Sequence, residues 1–467
     1  MTHMHIAGSI HADAMQVGPQ WLTRPVDVNA LDDALWSQGV TRTASGELSV
    51  AGVGVTAIAE ELGTPTYVLD EVDFRQRAAA FRDAFEGWDV FYAGKALLTK
   101  TIARWVDEER LSLDVCSGGE LAIALAGGMP AERIGLHGNN KSVDELAMAL
   151  EAGVGRIIVD SFDEIARIDA LCREHGWLAR VLVRVTTGIE AHTHEYIATA
   201  HEDQKFGFSI SGAQALVALM QCHNSPVIDL LGIHSHIGSQ IFDTHGFEVA
   251  VRRVMRLASQ FRAANGIELP ELDLGGGFGI AYTSADSPSS VSDLAANFNE
   301  IIEHECRAYG LQRPRLSIEP GRAICGPTTL ALYAVGTVKV VDLEGGSART
   351  YVSVDGGMSD NIRPALYAAE YSAVVANRIS DADPVLCRVV GKHCEGGDIL
   401  VRDVFLPGDV TPGDLIAVPA SGAYSRAMAS NYNALTKPPL VAARDGRLTT
   451  LLRRETLADL MALDVGE

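Results

Sequence analysis

The stretch IGLHGNNKSVDELAMALEAGVGRIIVDSFDE, residues 134–164, holds one complete structural repeat. Ile134-Gly135-Leu136 is apolar, too short for a helix, and runs into the polar His137-Gly138-Asn139-Asn140. A buried strand that stops at a loop reads this way. Ser142 stands three residues before Glu145, the capping-box spacing in which two side chains satisfy exposed N–H groups at a helix start. Leu146 and Leu150 follow on one helical face, and Gly153 supplies the stop. Ile157–Asp160 is the next apolar run, and Ser161 with Glu164 repeats the cap. Strand, polar end, capped helix, strand: this order implies parallel strands joined by a right-handed crossover.

Working outward, the unit recurs. Candidate strands are Val90–Ala93, Leu111–Val115, Ile134–His137, Ile157–Asp160, Val181–Val185, Leu230–His236, Glu271–Leu274 and Leu316–Glu319. Ser117 and Glu120 form a third cap. Eight such units predict an α/β fold, a TIM (β/α)8 barrel over residues 58–323, with a doubly wound open sheet as the competing arrangement. The C-terminal part changes character. Leu330–Val341, Arg349–Val354, Val385–Val390, Ile399–Phe405 and Leu415–Pro419 are separated by turns such as Glu344-Gly345-Gly346. They predict an antiparallel β domain, barrel or sandwich, over residues 324–467. Gly46–Val55, within residues 46–57, is expected to join that domain as one N-terminal strand, and residues 1–45 to form a partly ordered arm.

The charge is −22, from 38 basic and 60 acidic residues. A surface this acidic repels nucleic acid and anionic lipid. No apolar run reaches the length of a membrane span and the first residues show no signal pattern, so a cytoplasmic location is expected. Seven cysteines without a C-x-x-C pair argue against a disulfide framework or a zinc knuckle.

In a TIM barrel, catalytic groups sit at the C-terminal ends of the strands. Those ends hold Lys95, Asp114, His137, Arg184, His236, Ser239, Gly275-Gly276-Gly277, Glu319 and Arg322. Lys95, beside small and apolar residues, is expected to be desolvated, which favours imine formation with an aldehyde; a surface lysine is the other reading. The glycine run after the seventh strand suits a phosphate, or a tight turn. Glu319 can hold a pyridine nitrogen protonated, or simply open a helix. His234 with His236, and His192 with His194, have the spacing of metal ligands, but ring stacking and polar packing explain them too, and no metal is expected. Cys394, among charged residues in Gly391–Asp398, is reactive or structural.

Tyr92-Ala93-Gly94-Lys95-Ala96, His234–Gln240, Gly275–Gly277, Glu319-Pro320-Gly321-Arg322 and Cys394-Glu395 stand in the order and spacing of a known family. The chain resembles the alanine-racemase-fold (type III) decarboxylases, which depend on pyridoxal 5'-phosphate. Gln204–Phe208 and Asp355–Pro364 narrow the resemblance to the diaminopimelate decarboxylase family in its actinobacterial form. The resemblance implies that Lys95 binds the cofactor covalently, His236 stacks on its ring and Glu319 pairs with the ring nitrogen. It further implies phosphate contacts from Ser239, Gly275, Gly276, Gly277, Gly321 and Arg322, with Asp114 and Arg184 as outer support. Arg322, Arg363 and Tyr367 resemble the grip on the substrate's distal carboxylate, and Glu395 the partner of its distal ammonium. Cys394 resembles the proton donor and Tyr424 a tyrosine near cofactor and substrate. In the family the counterparts of Cys394 and Glu395 reach the opposite subunit's site, which implies a homodimer with shared active sites.

The expected function is decarboxylation of meso-2,6-diaminopimelate to L-lysine and CO2. The far end of that small-molecule substrate is an amino-acid zwitterion and needs a cation and an anion, which Arg363 and Glu395 would supply. A decarboxylase of ornithine or arginine type binds a distal cation alone. A racemase would place arginine where Glu319 stands, and a non-catalytic binding homologue need not keep Lys95 or Cys394.

Overall fold

The structure is a computed structural model that describes residues 18–188, 205–342 and 348–466. It falls into two compact units. One comprises Arg75–Ile280 with Pro288–Ile324, the other the chain up to Phe74 with Ala281–Ser287 and Cys325–Glu467.

The first unit is the barrel. Its strands are β1 (Asp89–Ala93), β2 (Ser112–Val115), β3 (Ile134–Leu136), β4 (Arg156–Val159), β5 (Ala179–Thr186), β6 (Ile228–Ser235), β7 (Glu271–Asp273) and β8 (Arg315–Ile318). Every neighbouring pair is parallel. The ring closes where β8 meets β1, Ser317 opposite Asp89 and Ile318 opposite Val90, so the open-sheet alternative is excluded. Strands such as β4 are buried on both faces, inward against the barrel filling and outward against helices, which is why they read as unbroken apolar runs.

Helix starts explain the regular phase. Ser142 and Glu145 make the full reciprocal box, worth about 1 kcal/mol. Ser117 and Ser161 cap only one way. Glu120 instead accepts from the Cys116 N–H at 2.6 Å. Glu164 is drawn inward to a buried Lys141, 2.7 Å away.

The second unit is a mixed sheet rather than an antiparallel one. Thr329–Asp342 pairs antiparallel with Ala348–Val354 and with Leu415–Val418. Ala348–Val354 runs parallel to Pro384–Val390, and Thr66–Asp70 runs parallel to Leu440–Arg444. The N-terminal strand of this sheet is Thr66–Asp70, not Gly46–Val55. The latter segment bends into a small separate sheet, where Leu48–Val50 pairs with Val40–Arg42 and Val53–Gly54, and then into helix Val55–Leu62. The barrel unit accordingly begins at Arg75 rather than residue 58. The later part of the arm is tied down: Leu35 and Trp36 are buried in this unit's core. Arg42 donates to the carbonyls of Asn29, Gly46 and Val375. Among the described residues, no helix is long and apolar enough to cross a membrane.

Candidate active site

Lys95 lies two residues beyond β1, in a single 3-10 turn, Gly94–Ala96. Asp114 ends inside β2, Arg184 inside β5, and His236 and Glu319 each follow directly on β6 and β8. These five side chains, separated by up to 224 positions in the chain, line one cavity of about 310 Å³. Cys116, His137, Asn139, Phe206 and His234 complete the wall. One expectation fails: Lys95 is not desolvated. Gly94 and Ala96 are buried, but the Lys95 side chain is exposed.

The deep wall is acidic and imidazole-rich. His234 Nε2 comes within 2.8 Å of Glu319 Oε1, and His137 Nε2 within 3.4 Å of the same atom and 3.2 Å of Asp114 Oδ1. None of these approaches is aligned as a hydrogen bond, and His137 Nε2, His234 Nε2 and Glu319 Oε1 remain buried without one. Burial pushes His234 down to about 3, and it holds His137 and His236 well below the ordinary imidazole value, so all three rings are neutral. Burial raises Asp114 well above the carboxylate range, helped by the charges of Glu319 and Asp273. Asp273 itself is pushed up to about 7 by burial and by Glu319. Cys116 opens on the cavity yet is surrounded by protein, and burial pushes its thiol to about 12.

Beside this wall, three strand ends converge. The Arg322 guanidinium donates to Ser239 Oγ at 2.9 Å. Gly276 N–H donates to His236 Nδ1 at 3.3 Å. Gly275 and Gly277 have φ of +71° and +115°, and a Cβ would lie 2.5 Å from the carbonyl oxygen of Ser235 at the first and of Gly238 at the second. Only glycine permits that turn and that approach. Gly321 is packed against the Ala93 carbonyl, which a Cβ there would approach to 2.8 Å. The outer wall is organised by Asp160, which accepts from Gly207 N–H at 2.9 Å and sits 4.0 Å from Arg184 Nε. The Arg184 guanidinium lies over the Phe206 ring at 4.4 Å.

Arg363, Tyr367, Cys394, Glu395 and Tyr424 belong to the second unit. Arg363 is buried, donates to the Tyr371 hydroxyl and lies over the Tyr282 ring at 4.6 Å. Tyr367 closes the same short helix, Arg363–Tyr367. Tyr424 holds a left-handed backbone, φ +62°, a strained conformation that concentrates at functional positions. Cys394 and Glu395 are exposed.

From the sequence, His137 has no role, and His234, with His236, reads as a metal ligand, a stacking ring or ordinary polar packing. His137 obeys the strand-end rule that found Lys95 and was legible on that ground. Lys141 and Glu164 carried no such signal. His192 and His194 lie outside the described residues. Among those described, His137, His234 and Glu319 form the one set with metal-ligand spacing, their donor atoms within 4.8 Å of one another.

An aldehyde-bearing, phosphorylated pyridine fits this site. The buried acceptors Glu319 Oε1 and Asp114 Oδ2 lack donors, a state costing about 1–3 kcal/mol per group. Mutual repulsion of Asp114, Asp273 and Glu319 is relieved by a cationic ring. Lys95 would supply the amine, and the glycine turn with Ser239 and Arg322 suits a phosphate.

The comparisons agree with that chemistry. The family described as "Pyridoxal-dependent decarboxylase, pyridoxal binding domain" matches residues 71–326, more than half the chain. The fold and the site thus define a pyridoxal-dependent decarboxylase. A Mycobacterium tuberculosis diaminopimelate decarboxylase is 51% identical over 436 residues, covering 92% of this chain and 98% of its own. That of Mycobacterium leprae is 50% identical over 470 residues, covering 99% and 100%. A solved diaminopimelate decarboxylase of M. jannaschii, in co-complex with L-lysine, superposes with a TM-score of 0.85 at 30% identity, covering 93% and 99%. The chain belongs to the diaminopimelate decarboxylase family, enzymes that depend on pyridoxal phosphate.

Proposed function

We propose that this chain decarboxylates meso-2,6-diaminopimelate to L-lysine and CO2. The observation that carries the reading is the convergence of Lys95 and the buried Glu319 carboxylate on one cavity at the C-terminal mouth of the barrel. Pyridoxal phosphate, when bound, supplies an electron-accepting ring that lets the bond from Cα to a carboxylate break. Lys95 would hold it through the aldehyde, Glu319 would keep its nitrogen protonated, and neutral His236 would cover its face. Ser239, Gly275, Gly276, Gly277, Gly321 and Arg322 would hold its phosphate, while Asp114 and Arg184 support the wall. Arg322, Arg363 and Tyr367 would grip the distal carboxylate and Glu395 the distal ammonium, with Tyr424 alongside. The Cys394 thiol would deliver the proton to Cα. Its exposure, and that of Glu395, supports a homodimer in which the pair completes the site of the second subunit. The absence of a membrane-crossing helix among the described residues agrees with a cytoplasmic site of action.

The test is CO2 release from meso-diaminopimelate against ornithine, arginine and lysine, with pyridoxal phosphate added. Turnover of the first alone supports the reading. Preference for ornithine or arginine would replace it with a basic-amino-acid decarboxylase, and no release from any would favour a binding homologue.

A further inference from the structure

Cys394 and Glu395 are exposed, yet the loop that carries them is pinned. Asn433 Oδ1 accepts the backbone N–H of Cys394 at 3.3 Å and lies 3.1 Å from His393 Nδ1. Ser359 N–H donates to His393 Nε2 at 3.3 Å, and the Ser359 hydroxyl is 2.9 Å from the same nitrogen. Nε2 is therefore the accepting nitrogen, so Nδ1 carries the hydrogen and donates to Asn433. His393 is buried and stacked on Tyr432, centroids 5.2 Å apart. Asp398 closes the base of the loop, accepting from His393 N–H at 2.8 Å and Met358 N–H at 2.6 Å. Ser430 N–H donates to the Ser359 carbonyl at 2.8 Å. Three segments remote in sequence thus meet at one imidazole: the one leading to Arg363, the Cys394 loop, and the loop before Asn433. Asn433 holds φ +52°, a left-handed conformation in which asparagine is among the few side chains tolerated. Backbone strain is accepted where it aims one amide oxygen at the Cys394 N–H.

We propose that Asn433 and His393 are positioning residues that set the backbone of Cys394 and Glu395 for proton delivery and recognition of the distal ammonium. The proposal rests on the roles given to Cys394 and Glu395 above. An ångström of misplacement at a proton donor lowers turnover by up to about a hundredfold, so the clamp acts on kcat through Cys394 and on KM through Glu395.

Asn433→Gly removes the acceptor while relieving the backbone; Asn433→Asp keeps an oxygen acceptor and tolerates the same φ. In the cofactor-loaded, full-length protein, N433G should lose about tenfold or more in kcat, with a raised KM for diaminopimelate. N433D should stay near wild type, and cofactor affinity read from visible absorbance should not change in either. The double variant N433G/C394A should have the kcat of C394A alone, because one effect acts through the other. Wild-type kcat in N433G, equal losses in N433D and N433G, or additive losses in the double variant would each overturn the clamp. Wild-type turnover in C394A would overturn the donor assignment as well, whereas a crippled C394A beside a normal N433G would overturn only the clamp. If the melting transition shows N433G unfolded, N433S, whose hydroxyl is too short to bridge, takes its place.

Discussion

At the N-terminal end of the barrel, Arg156 opens β4 and donates to Glu271 on β7 at 2.7 Å and to Asp89 on β1 at 2.9 Å. Arg315 opens β8 and reaches Asp89 at 2.6 Å. Arg156 also lies over the Phe91 ring at 5.1 Å, which covers its remaining face. At the opposite end, Asp114, His137, His234 and Glu319 are as buried as Arg156, but their polar atoms face one another without aligned hydrogen bonds. One end has its charges matched and bonded. The other keeps acceptors in reserve at a cost to the protein by itself. The contrast follows the rule that a barrel's lower face serves stability and its upper face chemistry. It also shows that burial alone does not separate the two roles; the state of the partners does.

The largest effect should come from the mouth. Lys95→Ala should reduce CO2 release from diaminopimelate by more than ~10³-fold and abolish the visible band that borohydride removes from the wild type. Retained turnover would break the contrast at its centre. Glu319→Gln keeps the shape and the oxygen but gives up the negative charge. It should lower kcat by about 10²–10³-fold with little change in melting temperature, since no hydrogen bond to Glu319 Oε1 is lost. A drop in stability with kcat unchanged would reassign Glu319 to structure.

The barrel was legible because its signal is local and repeated: short apolar runs, polar ends and Ser-x-x-Glu starts recur in phase. The mouth residues were legible for a related reason, since each lies at or just past a strand end. What stayed hidden depends on partners remote in sequence. Nothing in Thr66–Asp70 names Thr329–Leu332 and Leu440–Ala443 as its neighbours, so the strand that enters the second sheet was misplaced. Parallel pairing there was hidden for the same reason. The hairpin Leu440–Arg444 to Arg447–Leu452 is a different case. Asp445-Gly446, with φ +51° and +74°, is a two-residue turn that the sequence displays openly. The clamp on Cys394 was out of reach, because it joins residues 359, 393 and 433 through one ring.

The lower end predicts a middle-sized, opposite kind of effect. Arg156→Met should destabilise the protein by about 2–3 kcal/mol, less than the loss of a wholly buried pair because Arg315 still faces both acids. Its kcat per folded, cofactor-loaded chain should be unchanged. Chemical denaturation and turnover measured on the same preparation separate the two quantities. Lost kcat at full occupancy would mean that the two ends are coupled.

The smallest effect lies between the ends, at Asp273, whose carboxylate accepts from Gly275 N–H and Ser317 Oγ, each at 2.7 Å. Its folded value of about 7 stands above the roughly 3.9 of an unfolded chain. Between those values the folded protein binds a proton that the unfolded chain releases. That contribution to stability is full below about pH 4 and is lost as pH rises through about 7. Asp273→Asn cannot ionise, and its amide oxygen can still accept from Gly275. Cofactor-free D273N should therefore gain on the order of 1–2 kcal/mol over wild type at about pH 5 and nothing well below about pH 4. Parallel denaturation curves for the two proteins across that range would mean that neither burial nor the charge of Glu319 raises Asp273. The reserve of unbonded acceptors would then have lost its electrostatic reason.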